Sequence, residues 1–190
     1  HHRELTRRLR DVCGWSIETV PGLIPVADFF ALLRERRFPA PDWLRHPDDL
    51  EYTPEPDLFH DVLGHVPQLC APEIRPLIEA LADSARSAGA AELLELERIY
   101  WFTLEFGLVL EGPGELRALG AGLASSITEL HRALHDPRVE RRPIALAQAR
   151  RELFAHDRVQ PLYLVAPSLV ELLAELRAST APARHSRTGQ

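Results

Sequence analysis

A chain of 190 residues, 45% of them hydrophobic and 26% charged, has the length and composition of one soluble globular domain with a core of its own. A net charge of -6 argues against a phosphate-reading surface, and no apolar run approaches the roughly 18 residues that cross a bilayer. Neither nucleic acid nor membrane is therefore expected as a partner.

All 22 basic residues are arginines, while lysine, asparagine and methionine are absent; the bias runs through the whole chain and marks no local arginine-rich surface. The two cysteines, Cys13 and Cys70, match no CxxC spacing and read as isolated thiols in preference to a disulfide. With no secretory leader in the sequence as given, a reducing cytoplasm is the expected compartment.

In chain order, residues 3–12 read as the last turns of a helix stopped by Gly14, and residues 15–20 (Trp-Ser-Ile-Glu-Thr-Val) alternate as a short strand does. Pro21 to Pro25 form a tight apolar loop in which Gly22 would admit a ligand close to the backbone; a plain connector is the simpler reading. Asp28 is placed to cap a helix from Phe29 to Arg36, ended by Phe38-Pro39. An irregular stretch, 41–49, holds Trp43, Arg45 and His46. Asp57 then caps a short helix from Leu58 to Leu63, with Gly64 as its end. Ala71 to Ser87 is amphipathic, and Ala91 to Leu108 is a long apolar helix carrying Glu105. Residues 108–119 form a hairpin around Gly112-Pro113-Gly114. Gly120 to Gly122 make a close-approach loop that leads to Ser125-Ser126 and a helix reaching about His135. A charged linker (138–143), a helix (144–154), a strand (159–165) and a Ser168-capped helix (169–176) follow. The sum is a mostly α protein with a few short β-strands, α+β in class. One domain spans 3–176, and the polar tail 178–190 is expected to be unstructured.

The chemistry concentrates in residues 52–69, Tyr-Thr-Pro-Glu-Pro-Asp-Leu-Phe-His-Asp-Val-Leu-Gly-His-Val-Pro-Gln-Leu. His60 and His65 are five apart, which in a regular helix turns the second by about 500° and leaves the pair about 140° apart. They can face one metal only if the helix breaks between them, and Gly64 with Pro67 suits a break. Two imidazoles and one carboxylate leave three positions open on an octahedral ion, the arrangement of non-haem Fe(II) oxygen chemistry. Glu105, set among Trp101, Phe102, Leu104 and Phe106, is costly to bury without a partner or a metal. Spacing alone favours one buried and one solvent histidine, and Glu105 alone reads as well as an arginine partner. The coincidence of both with the Pro-Asp and Gly-His-Val-Pro frames turns the reading to a metal.

Four segments together resemble the pterin-dependent aromatic amino acid hydroxylases, bacterial phenylalanine 4-hydroxylases in particular. They are Pro-Glu-Pro-Asp-x-x-His-Asp-x-x-Gly-His-Val-Pro (54–67), Tyr-Trp-Phe-Thr-x-Glu-Phe-Gly-Leu (100–108), Gly-Ala-Gly-x-x-Ser-Ser (120–126) and Gln-Pro-Leu-Tyr (160–163). The resemblance covers residues 9 to 176. It implies that His60, His65 and Glu105 ligate Fe(II), and that Gly22, Leu23, Ile24, Phe29 and Asp61 bind a tetrahydropterin. It implies that Arg45, oriented by Asp57, grips the carboxylate of an aromatic amino acid. Thr53, Pro56, Trp101 and Ser125 would line the amino acid pocket, with Ser125 also supporting a ligand histidine. The implied activity is ring hydroxylation of phenylalanine or a related aromatic amino acid, with O2 as co-substrate and no catalytic residue beyond the iron ligands.

Three departures stand out. The family's domain normally begins before this chain does, so the expectation is a short member or part of a domain, a monomer or a homodimer that covers the uncovered apolar surface. Leu119 stands where a tyrosine usually precedes Gly-Ala-Gly. The loop before Gln160 reads Phe154-Ala155-His156-Asp157-Arg158, whose histidine and charges either admit a more polar ring or face solvent. The competing functions are hydroxylation of an unusual aromatic substrate in a biosynthetic pathway, and a non-catalytic pterin- or amino-acid-binding homologue.

Overall fold

The computed structural model describes residues 2–49, 53, 55–156 and 158–180. Helix α1 (His2–Cys13) ends at Gly14, whose φ of +78° gives the left-handed turn a glycine tolerates. Strand β1 (Ser16–Thr19) follows, then α2 (Val26–Arg34) and β2 (Arg37–Ala40). The helix starts earlier than expected because Pro25 fixes its own φ at -54° and its carbonyl accepts from Asp28 and Phe29, both at 3.0 Å. Asp28 caps nothing; it sits in the first turn, where a carboxylate favours the positive end of the helix. Phe38-Pro39, expected as a helix stop, instead belongs to β2, which pairs in parallel with β1 from Ser16↔Arg37 to Thr19↔Ala40. A proline is tolerated there because, among the described residues, the sheet has two strands and nothing pairs with the other edge of β2.

The segment bearing both histidines is one unbroken helical run. Helix α3 (Leu58–His60) passes into a π turn (Asp61–His65) and then α4 (Val66–Cys70). The expected break at Gly64 is absent. Gly64 serves packing instead, since a Cβ there would lie 2.6 Å from the Ala121 Cβ and 2.8 Å from its backbone. Asp57 does cap the run, accepting the His60 N–H at 3.0 Å.

Next come α5 (Arg75–Ser84) and α6 (Ala90–Tyr100), and α6 leads into a second π turn (Trp101–Glu105) that ends on Glu105, three residues before the expected end. Strands β3 (Leu108–Glu111) and β4 (Glu115–Ala118) make the expected hairpin. The glycine loop that follows opens into α7 (Ala121–Ala124), and α8 (Ile127–His135) begins under a Ser126 cap. Residues 140–143, read as a linker, form β5 (Glu140–Pro143), and the helix expected over 144–154 shrinks to α9 (Leu146–Ala149). Strand β6 (Leu162–Ala166) and α10 (Leu169–Thr180) close the described chain. The last helix runs to Thr180; Asp157 and residues 181–190 of the tail lie outside the described residues.

The second sheet has the order β4-β3-β6-β5, antiparallel at β3/β4 and parallel elsewhere. Its strand β5 is Glu-Arg-Arg-Pro, held by backbone pairing with the apolar β6 and carrying no alternation of its own. Helix α5 packs against both α2 and α10. Trp15, Phe30, Phe38, Leu69, Ile78, Ile99 and Leu104 fill the main core, each burial contributing about 1.5–3 kcal/mol. A smaller cluster of Phe106, Leu108, Leu123, Ala133, Val139 and Tyr163 backs the second sheet, and Trp101 packs against both clusters. No helix among the described residues is long and apolar enough to cross a membrane.

Candidate metal centre and its cavity

Both π turns deliver a residue to the same point. The Val66 N–H bonds the Asp61 carbonyl, and the Phe106 N–H bonds the Trp101 carbonyl at 2.8 Å, each closing five residues. The wider turn removes the angular mismatch that five-residue spacing has in a regular helix. The rings of His60 and His65 consequently lie 4.8 Å apart. Glu105 meets both: its Oε1 is 3.3 Å from His60 Nε2, and its Oε2 is 3.0 Å from His65 Nε2. One ligand atom from each of the three lies within 4.8 Å of the others.

The outer nitrogens decide which imidazole atom faces the centre. His60 Nδ1 lies 2.8 Å from Ser125 Oγ, whose own hydroxyl proton goes to the Ala121 carbonyl at 2.9 Å. His60 Nδ1 is therefore the donor, and Nε2 keeps its lone pair. His65 Nδ1 lies 3.1 Å from Gln68 Oε1. The Gln68 amide cannot flip, since its Nε2 donates to the Leu104 and Leu119 carbonyls at 2.8 and 2.9 Å. His65 Nδ1 is thus also a donor, with Tyr100 Oη 3.3 Å away.

Burial lowers the His60 pKa to about 4 despite the Glu105 charge, so that imidazole is neutral. Burial works against a charged His65 as well, but the Glu105 carboxylate outweighs it and raises the pKa. Against the cost of burial, Glu105 is in turn held below its usual range, helped by its hydrogen bond with His65. A proton shared between His65 and Glu105 is what a divalent cation replaces. Two imidazole nitrogens and one carboxylate, with a cavity beside them, suit a transition metal with open positions.

That cavity encloses about 320 Å³ and is lined by Gly22, Leu23, Ile24, Phe29, Arg45, Thr53, Pro56, His60, Asp61, His65, Trp101, Glu105 and Ser125 among others. Every candidate residue read from the sequence lines it except Asp57, which is 0% exposed and acts from behind Arg45. Asp57 Oδ1 accepts from Arg45 Nε at 3.0 Å and Nη2 at 2.6 Å, and Oδ2 accepts the Arg45 backbone N–H at 2.8 Å. Against the cost of burial, these bonds hold the Asp57 carboxyl below its usual range. The Arg45 guanidinium also donates to the Ser125 carbonyl at 3.3 Å and lies 4.8 Å over the Phe59 ring.

Asp61 is a second buried carboxyl on the wall. Its Oδ2 has no hydrogen-bond partner among the described residues, and burial, helped by the charges of Glu105 and Asp57, raises its pKa to about 7. An orphaned buried acceptor on a cavity wall fits a ligand that carries a hydrogen-bond donor. Phe29, edge-on to Phe30, Phe38 and Tyr100 at 5.5, 6.4 and 5.0 Å, is fixed in orientation on the same wall.

Several residues of the site carried no role in the sequence reading. Gln68 and Tyr100 hold His65. Gln160 accepts the Trp101 indole N–H at 3.1 Å, and its own backbone N–H goes to Glu129 at 2.9 Å, a carboxylate that also accepts from the Tyr163 hydroxyl. In the loop that was read as admitting a more polar ring or facing solvent, Phe154 stacks on Trp101 at 4.3 Å, and His156 lies edge-on to both rings and lines the cavity. Gln68, three residues past His65, had a usable signal: a polar side chain one helical turn from a ligand and flanked by apolar neighbours. Glu129 had none, because its partners lie in another element.

The model of the biopterin-dependent aromatic amino acid hydroxylase family matches residues 1–186. The phenylalanine-4-hydroxylase of Caulobacter vibrioides is 42% identical over 169 residues, 88% of this chain and 57% of that protein. That of Mesorhizobium japonicum is 41% identical over 168 residues, 87% of this chain and 60% of that protein. The crystal structure of Chromobacterium violaceum phenylalanine hydroxylase with bound iron(III) and 7,8-dihydrobiopterin superposes with a TM-score of 0.85 at 36% identity, covering 95% of this chain and 66% of that one. The chain thus spans less than two thirds of the length of these relatives. It belongs to the biopterin-dependent aromatic amino acid hydroxylase family.

Proposed function

We propose that this chain carries the catalytic site of a monooxygenase that hydroxylates the ring of phenylalanine or a related aromatic amino acid, using Fe(II), O2 and a tetrahydropterin. The observation that carries the reading is the convergence of His60, His65 and Glu105 on one cavity whose walls also present Arg45 and the orphaned Asp61 carboxylate. The two imidazoles and the carboxylate would hold the iron. When bound, iron(II) and the reduced pterin together supply the activation of dioxygen.

The protein's own residues supply position. Ser125 and Gln68 keep both Nε2 lone pairs turned inward. Asp57 fixes the Arg45 fork, so the amino acid carboxylate meets a guanidinium already oriented. Gln160 locks the Trp101 indole, which with Phe154 and Pro56 gives the substrate ring an apolar, water-poor wall beside Thr53. Asp61 would accept the pterin's ring N–H groups, between Phe29 and the loop of Gly22, Leu23 and Ile24. Residues 3–176 would act as one domain, a monomer or homodimer, in the cytoplasm.

The protein incubated with Fe(II), O2, tetrahydrobiopterin and phenylalanine should yield tyrosine; if every aromatic amino acid tested survives while iron is shown to be bound, the proposal fails. A second reading has a specific observation behind it: Glu97 and His156 line the cavity beside Trp101 and Phe154. Two polar groups there favour a ring with a polar substituent. A panel of substituted aromatic amino acids, compared by kcat/KM, separates the readings.

A further inference from the structure

The sequence reading left Cys13 and Cys70 as isolated thiols. The fold brings them together. Cys13 is the last residue of α1 and Cys70 the last of α4, and their sulfurs stand 3.8 Å apart as free thiols, 57 positions apart in the chain. The Cys13 thiol donates to the Leu9 carbonyl at 3.3 Å, which leaves the Cys70 thiol to point at the Cys13 sulfur. Burial, with the neighbouring sulfur, pushes the Cys70 thiol up to about 11. Both side chains are half-buried, within reach of a small oxidant, and the chain has no other cysteine to compete. A disulfide needs a separation of about 2.05 Å. Both cysteines sit where a helix gives way to other backbone, Gly14 with φ +78° after one and Ala71 with extended backbone after the other, so each end can yield toward its partner.

We propose that Cys13 and Cys70 form a reversible intramolecular disulfide, a redox-modification site that fastens α1 to the end of the helical run bearing His60 and His65. With a hydroperoxide as oxidant, one thiolate attacks a peroxide oxygen, the O–O bond breaks, and a sulfenic acid forms as water or an alcohol departs. The second thiolate attacks that sulfur, the S–O bond breaks, hydroxide leaves and is protonated to water, and the S–S bond closes. The cysteines lose two electrons and two protons, and the peroxide gains them. An external dithiol reverses the step by exchange. Cys70 lies two residues beyond Gln68 and five beyond His65, so the bond is placed to stiffen the helix that holds one side of the candidate metal centre.

The test is a peptide map. Reduced protein is treated with hydrogen peroxide, alkylated with iodoacetamide under denaturing conditions, and digested without reduction. The expected result is one linked pair of peptides containing Cys13 and Cys70, lost on treatment with dithiothreitol, together with a higher unfolding midpoint in the oxidised protein. In Cys13→Ser the link disappears, and peroxide no longer raises the midpoint. Full alkylation of both cysteines after peroxide, separate oxidation of each, or links only between chains would overturn the proposal. A linked pair with an unchanged midpoint would overturn its stiffening role.

Discussion

Replacing Gln68 with leucine probes the claim that His65 is aimed by its outer nitrogen. Leucine keeps much of the volume but removes three hydrogen bonds: the one to His65 Nδ1 at 3.1 Å and those to the Leu104 and Leu119 carbonyls at 2.8 and 2.9 Å. Losing such an outer partner of a metal-binding histidine typically costs 10–100-fold in metal affinity, about 1.4–2.8 kcal/mol. The two carbonyls, stripped of the amide, add roughly 2–6 kcal/mol of lost stability at about 1–3 kcal/mol each. Gln68→Glu separates the two effects. Its carboxylate still accepts from His65 Nδ1 but sets oxygen against oxygen at both carbonyls, so it should lose stability while retaining metal affinity. Anaerobic Fe(II) titration against a competing chelator reads the first quantity, and denaturant unfolding of the metal-free protein reads the second. Folded Gln68→Leu protein that binds Fe(II) within twofold of the parent would refute the reasoning.

Other perturbations follow from the same contacts. Ser125→Ala removes the partner of His60 Nδ1 and should weaken Fe(II) binding about 10–100-fold by the same titration. Asp57→Asn keeps a cap on the His60 N–H but loses the charge that holds Arg45; the KM for the amino acid should rise at least about tenfold, consistent with the weight of charge-assisted bonds, with iron stoichiometry unchanged. Asp61→Asn should raise the KM for the pterin and leave that for the amino acid near the parent value, measured by varying each in turn. Gly120→Ala would set a Cβ 2.1 Å from the Glu105 carbonyl oxygen, so the backbone must move; several kcal/mol of stability and most of the Fe(II) affinity should go together in unfolding and metal analysis.

What the sequence disclosed and what it hid divide along a physical line. Some local signals held: Asp57 and Ser168 accept the N–H groups of the helices they were read to cap, and Gly112-Pro113-Gly114 turns the hairpin, whereas Asp28 caps nothing and the helical run passes through Gly64. His60, His65 and Glu105 were visible because their chemistry is improbable in an apolar frame, the other candidates only through the resemblance to a family, and the fold gathers all but Asp57 around one cavity. The π turns were hidden. One extra residue per turn leaves no trace in hydrophobic periodicity, so the only honest local solution to two histidines five apart was a broken helix at Gly64. Strands β2 and β5 were hidden for a different reason. Arg-Phe-Pro-Ala and Glu-Arg-Arg-Pro have no strand pattern of their own and are strands only through pairing with β1 and β6. The helix expected over 144–154 was cut short because Phe154 and Ala155 are used elsewhere, one stacking on Trp101 and the other accepting from Gln160 at 2.8 Å. The Cys13–Cys70 and Glu129–Tyr163 contacts join elements distant in sequence, and no local rule reaches them.

The central claim is that the cavity beside His60, His65 and Glu105 hydroxylates an aromatic amino acid. Its most direct test is mass spectrometry of the amino acid after a reaction run under isotopically labelled dioxygen, with Fe(II), tetrahydrobiopterin and phenylalanine. The account predicts one labelled oxygen on the ring of the product, and none with Glu105→Ala. Unlabelled product, or no product from protein whose iron is shown to be bound, would contradict it.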